Sequence, residues 1–244
     1  MPKETLLEIG KKKNLANKEY IEKDYFQDVL LFNLFKATNN LIFKGGTALY
    51  KLYKLPRFSE DLDFSTLRPI SLDEIKELIE KCTNINPFKL SSIKETKDSM
   101  LIRLACKGII TASNTLRIDI NTKNKVLNNF VVHNYIPDYI NINPFSLRAL
   151  SKEEMIAEKI HALLMKEKAR HLFDLFYLLR TTNFNKKLTI NKLKIFNMYY
   201  DKKKLMKKIE LISPIWKKEL QPFVFNELPP FGIVRDYINK NLPP

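Results

Sequence analysis

Two adjacent glycines, Gly45 and Gly46, close a short apolar run at residues 41–43. Beyond a following helix of about two turns, Asp61 and Asp63 stand two residues apart inside another apolar run. Carboxylates at i and i+2 of a strand share a face. Such a pair offers oxygen ligands to a hard cation such as Mg²⁺. Glycines at a helix start remove Cβ atoms and let a phosphate approach backbone N–H groups. The two halves together read as a nucleoside triphosphate–metal site, a strand–turn–helix–strand unit around which the rest of the chain must be built. The plainer alternative is a tight turn followed by an acidic strand end.

Around this unit the periodicity predicts a helix over 18–38, capped by Asn17, with Ile21, Tyr25, Val29 and Phe32 on one side. A short buried strand is expected at 41–43, a helix from 47 to 53 ended before Pro56, and a strand over 62–65. Ser71–Glu74 is a capping box ahead of a helix to about residue 81. The period then changes. Residues 88–93, 100–106, 115–120 and 130–133 read as strands, with a turn around Lys107–Gly108 and Ala112–Asn114 joining two of them as a hairpin. Within 116–120 the apolar residues share one face, and Arg117 and Asp119 share the other. Asp119 is either a solvated residue of an edge strand or a third metal ligand beside Asp61 and Asp63.

From Ser151 the chain reads as helical, opening on a second capping box, Ser151–Glu154. An apolar stripe runs to about 168, and a second or continued helix covers 172–179. Amphipathic, Lys-rich segments follow at about 190–199 and 202–212. A proline-rich end is expected to be irregular around one short helix at 234–238.

Composition narrows the partners. The net charge is +15, and the excess is denser late in the chain: 23 Lys and Arg against 17 Asp and Glu in 1–150, but 19 against 10 in 151–244. Such a field favours a polyanion, RNA or DNA foremost. The two cysteines form no C-x-x-C pattern, which argues against a zinc site or a disulfide framework. The N-terminus lacks an apolar signal region and no run approaches the ~18 apolar residues of a membrane span. A cytoplasmic protein with no membrane partner is the expectation.

A helix after Gly-Gly, a D-x-D strand and a later strand with one Asp resemble the polymerase-β type of nucleotidyltransferase. The full stretch, Gly45-Gly46-Thr47-Ala48-Leu49 with Leu55-Pro56-Arg57-Phe58-Ser59-Glu60-Asp61-Leu62-Asp63-Phe64, resembles the AbiEii/AbiGii family of nucleotidyltransferase toxins of type IV toxin–antitoxin and abortive-infection systems. Glu22-Lys23-Asp24-Tyr25 is similar to that family's first-helix element. Glu158–Leu163 and Arg170–Phe176 are similar to its C-terminal elements, with His171 where the family carries Asp. Lys94–Lys97 matches a Lys-rich family motif only loosely and takes no role from it.

The resemblance implies an α+β chain: an N-terminal nucleotidyltransferase fold over 1–145, a mixed sheet flanked by helices, and a basic helical C-terminal domain over 146–244 that completes the active site. It implies a nucleotide transfer from an NTP to an RNA acceptor, tRNA foremost, with Mg²⁺ or Mn²⁺ and a cognate antitoxin. Asp61, Asp63 and Asp119 would hold the metal. Gly45, Gly46, Thr47, Arg57, Ser59 and Lys159 would bind the nucleotide, and Asp174 would orient Lys159 or Arg170, or assist proton removal. The alternatives are a catalytically weak NTP- or RNA-binding module of the same fold, and transfer to a protein acceptor.

Overall fold

In a computed structural model, residues 1–83, 88–122 and 126–244 are described. The chain divides into two compact units. The first comprises 1–53, 58–126 and 130–149; the second comprises 54–57, 127–129 and 150–244.

The first unit carries the sheet. Helix α1 (Lys3–Lys12) and the long helix α2 (Lys18–Ala37) lead into β1 (Leu41–Lys44), which passes directly into α3 (Gly45–Tyr53). Then come β2 (Leu62–Thr66), α4 (Leu72–Thr83), β3 (Phe88–Glu95), β4 (Ser99–Lys107), β5 (Ser113–Asn121), β6 (Val131–Tyr135) and β7 (Phe145–Ala149). The seven strands form one mixed sheet in the order β3-β4-β5-β2-β1-β7-β6. β5 is therefore interior, beside β2 in parallel register. Asp119 does not lie on an edge strand.

Local sequence accounts for the boundaries. Asn17 Oδ1 accepts the Glu19 N–H at 2.8 Å, starting α2. The box before α4 is reciprocal: Ser71 Oγ accepts the Glu74 N–H, and Glu74 accepts the Ser71 N–H. Helix α2 has buried residues on all its sides rather than one stripe, because it packs both on β5 and against α4. Strand β5 alternates, with Leu116, Ile118 and Ile120 buried and Arg117 exposed. Its hairpin with β4 forms across the expected turn. Strand β7 and helix α1 lie outside the segments that periodicity predicts. β7 is short and begins immediately after Pro144, so its alternation has little length in which to register.

The second unit is helical: α5 (Lys152–Met165), α6 (Ala169–Thr181), α7 (Lys186–Ile195), α8 (Lys202–Glu210), α9 (Trp216–Leu220) and α10 (Phe231–Asn241). α6, α7 and α8 all pack on or beside α5. Ser151 Oγ caps α5 by accepting the Glu154 N–H, but Glu154 does not reach back. Its carboxylate is fully buried and accepts the N–H groups of Leu127 and Asn128 at 2.8 Å and the Lys192 ammonium at 2.7 Å. A half-box thus replaces the full box because a buried cation claims the acid. Helix α7 starts earlier than its apolar pattern implies, since Asn185 caps it through the Leu188 N–H. α10 is longer than the short helix expected there. Among the described residues, no helix is long and apolar enough to cross a membrane.

Candidate active site

The first unit gathers the carboxylates. β1 pairs antiparallel with β2, placing Lys44 opposite Asp63, and β2 pairs in parallel with β5, placing Asp63 opposite Asp119. Lys44, Asp63 and Asp119 thus lie side by side on one face, about 5 Å apart strand to strand. Asp61 stands just ahead of β2, and its Oδ2 lies 3.8 Å from Arg117 Nη1. These acids line a cleft of about 450 Å³ that continues over β4 and β3.

The approach of the chain to this row is tightly held. Gln27 on α2 is fully buried, and its Nε2 donates to the carbonyls of both Ser59 and Glu60 at 2.9 Å. Lys23 reaches the Glu60 carboxylate at 3.1 Å. The Thr47 hydroxyl, fully buried in α3, donates to the Asp61 carbonyl. Thr47 therefore ties the turn before β2 to the helix after the glycines. Ser59 is itself nearly buried.

Gly45 has a reason to be glycine that its sequence pattern does not show. Its φ is +78°, and a Cβ there would lie 2.0 Å from Asp63 Oδ2. The Asp63 carboxylate rests in the space that the missing side chain leaves. Gly45→Ala is expected to cost about 1–3 kcal/mol from the left-handed backbone and to push Asp63 out of the row. Urea unfolding checks the first effect; loss of Asp63-dependent activity checks the second.

Burial, the largest influence, pushes the Asp119 carboxyl above its ordinary value, and the negative charge of Asp61 adds to it. A hydrogen bond from Ser99 and the cations Lys44 and Arg117 oppose the shift. The row is thus a concentration of negative charge with incomplete compensation. Among the described residues no three His, Cys, Asp or Glu side chains already converge on one point. Asp61 leans to Arg117 and Asp63 to Gly45. The donors nonetheless fit a hard divalent cation: all are oxygens, two are in register, and their mutual repulsion is what such a cation relieves.

The second unit holds the remaining candidates. Asp174 is fully buried on α6. It accepts Arg57 Nε and Nη2, each at 2.7 Å, and Lys159 Nζ at 2.7 Å. Arg57 is 2% exposed, so it is no solvated loop cation; segment 54–57 belongs to this unit. Burial acts to raise the Asp174 carboxyl, but Arg57 and Lys159 outweigh it and hold it at about 2. Two cations thus share one carboxylate. His171, a turn before Asp174, adds no negative charge: burial and Lys159 push its imidazole down to about 3, so it is neutral. Among the described residues its buried Nδ1 has no hydrogen-bond partner.

Sequence reasoning missed Gln27, Lys44 and Arg103. Gln27 is one polar residue on an otherwise apolar helix and gave no sign of clamping a distant loop. Lys44 reads as a strand end until the β1–β2 register is known. For Arg103 a signal existed: centring the expected hairpin on residue 110 pairs it with Arg117.

A family model described as the nucleotidyl transferase AbiEii toxin of type IV toxin–antitoxin systems matches residues 29–232. No curated protein matches the sequence. Among solved structures, MenT4, a nucleotidyltransferase toxin from Mycobacterium tuberculosis, aligns with a TM-score of 0.67 at 20% identity, covering 94% of this chain and 86% of its own. The JHP933 protein of Helicobacter pylori aligns with a TM-score of 0.58 at 24% identity, covering 92% and 90%. At these identities the likeness is one of fold.

Proposed function

Because the chain belongs to the AbiEii family of nucleotidyltransferase toxins of type IV toxin–antitoxin systems, we propose that it transfers a nucleotide from an NTP to the hydroxyl end of an RNA, tRNA foremost. The observation that carries this reading is the register pair Asp63–Asp119 beside Asp61, at the N-terminus of α3. The family implies a cognate antitoxin as the controlling partner.

Asp61, Asp63 and Asp119 would hold Mg²⁺ or Mn²⁺, which when bound neutralises triphosphate charge and supports an in-line displacement. The chain's own groups do the rest. The free N–H groups and the positive end of α3, opened by Gly45 and Gly46, take the β- and γ-phosphates. Thr47, Gln27 and Ser59 fix the turn that presents Asp61. Asp119, in register with Asp63 and on the β5 side of the pair, is the acid placed to accept the proton of the attacking hydroxyl. The hydroxyl oxygen bonds to the α-phosphorus as the bond to the bridging oxygen of the β-phosphate breaks, and pyrophosphate leaves. Asp174 is fully buried with Arg57 and Lys159 on its oxygens, so it is not open to that proton. We assign it to holding Arg57 and Lys159, whose positive charge serves an anionic part of the substrate.

The test is labelling. Purified protein with Mg²⁺ and each of four α-labelled NTPs is given total tRNA or cell protein, with Asp61→Ala as control. Asp61-dependent label on RNA is expected. Label on protein instead overturns the acceptor, and no Asp61-dependent label in any pairing overturns transfer and leaves a nucleotide-binding module.

A further inference from the structure

The cleft does not stop at the carboxylates. On β5, Arg117 precedes Asp119 by two residues and shares its face. On β4, Arg103 lies directly opposite Arg117, and on β3, Ser92 lies opposite Arg103. In the neighbouring row, Leu101 lies opposite Asp119 and Lys94 opposite Leu101. All of these line the same cleft. Two rows therefore cross one open sheet face: Arg117, Arg103 and Ser92 over β5, β4 and β3 in one, and Asp63, Asp119, Leu101 and Lys94 over β2, β5, β4 and β3 in the other.

Like charges directly opposite across an antiparallel pair are unfavourable. The Arg103 side chain has no ion pair or hydrogen bond among the described residues, and the ion pair of Arg117 is the long 3.8 Å one to Asp61. The face thus holds two guanidinium groups side by side with little to neutralise them. Two forks of donors beside a serine hydroxyl and an ammonium suit a phosphate, which accepts several charge-assisted hydrogen bonds at once.

The side of the cleft decides which phosphate. The triphosphate belongs at the N-terminus of α3, at the end of β1, so on the β1 side of Asp63. In-line displacement sets the attacking and leaving oxygens on opposite sides of the phosphorus. The attacking hydroxyl then comes from the β5–β4 side, where the arginines lie. We propose that Arg103 and Arg117, flanked by Lys94 and Ser92, form a subsite for a backbone phosphodiester of the acceptor strand. This rests on the transfer reading above and deepens it. A side-chain hydroxyl of a protein carries no adjoining phosphate, so the subsite selects a nucleic-acid end over a protein acceptor. Backbone contacts position the strand without reading its bases.

The experiment measures binding without turnover. A fluorescent single-stranded RNA with a free 3′-hydroxyl is titrated by anisotropy with wild-type, Arg103→Gln and Arg103→Lys proteins across a series of salt concentrations. A fluorescent NTP analogue with Mg²⁺ is titrated in parallel. Arg103→Gln is expected to weaken RNA binding about tenfold and to lower the slope of log affinity against log salt by about 0.7. Arg103→Lys should keep the slope, and affinity for the NTP analogue should stay within about twofold of wild type in both variants. Unchanged RNA affinity and slope in Arg103→Gln overturn the subsite, as does a loss confined to the NTP analogue, which would assign the arginines to the triphosphate. Failure of the transfer reading registers separately, as absent label in the Asp61-controlled assay.

Discussion

Asp63→Asn is expected to cut nucleotide transfer by about a thousandfold or more while leaving the melting temperature unchanged or slightly higher. The fall corresponds to about 4 kcal/mol of transition-state stabilisation, the scale of a lost contribution to metal-assisted charge neutralisation. The stability side follows from the row itself. Asp63 faces Asp119 across the parallel register, and Asp119 is already pushed up by burial and by the charge of Asp61. An isosteric amide removes one of three crowded acids but also the charge opposite Lys44, so the net gain is small, and the Asn side chain still fills the space against Gly45. A site built of mutually repelling acids is a place where stability is given up for function. Steady-state transfer with labelled NTP reads the first half; a thermal melt reads the second. Retention of more than about a tenth of the activity would remove Asp63 from the metal ligands.

The carboxylate row was legible because each member sits in a local pattern with a short period. Gly45-Gly46, the D-x-D and the alternation around Asp119 are all decided within a few residues. What periodicity could not supply was register. That Asp63 and Asp119 are neighbours depends on β5 inserting beside β2, a long-range pairing that no local window contains. The same holds for Arg103, which in sequence is an ordinary exposed residue of an amphipathic strand. It acquires meaning only opposite Arg117.

Arg57 and Asp24 show a different limit. Both are charged, and charged residues are mostly exposed. Each is buried because a partner from far along the chain meets it: Asp174 for Arg57, and Lys13, Lys51 and Tyr139 for Asp24. In sequence Arg57 is one cation ahead of the Asp pair, with nothing nearby to mark the buried acid it serves. The element Glu22–Tyr25, marked in sequence only by resemblance, has a separate physical task at every position. Glu22 accepts the N–H groups of Ile109 and Ile110, Lys23 binds Glu60, Asp24 anchors two lysines, and Tyr25 accepts from Asn141.

Asp24→Ala is expected to be among the most damaging single changes in the first unit, at about 3–5 kcal/mol, a large part of the ~5–15 kcal/mol that holds a typical domain together. Asp24 is fully buried and accepts Lys13 at 2.5 Å, Lys51 at 2.7 Å and the Tyr139 hydroxyl at 2.6 Å. One turn along α2, Asp28 also takes Lys51 at 2.7 Å and the Tyr135 hydroxyl at 3.0 Å. Burial alone would raise the Asp24 carboxyl, but Lys51 and Lys13 hold it well below the usual carboxylate range. Its contribution is therefore complete above the unfolded value of about 3.9 and fades as the pH falls below it. Removing the acid leaves Lys13 to Asp138 and Lys51 to Asp28, and takes the acceptor from the buried Tyr139 hydroxyl. The double variant Asp24→Leu/Lys13→Met separates burial from charge. It leaves Lys51 matched with Asp28 and fills the volume with apolar atoms, and replacing a buried pair in this way is often close to neutral. Urea unfolding should show the double variant recovering more than half of the loss; a single variant costing under about 1 kcal/mol would mean the network is only a packed surface pair. The link to function runs through Lys51, which sits in the last turn of α3. That lysine pins the helix whose other end begins at Gly45 and faces Asp63, so damage to the network should reach the carboxylate row through α3.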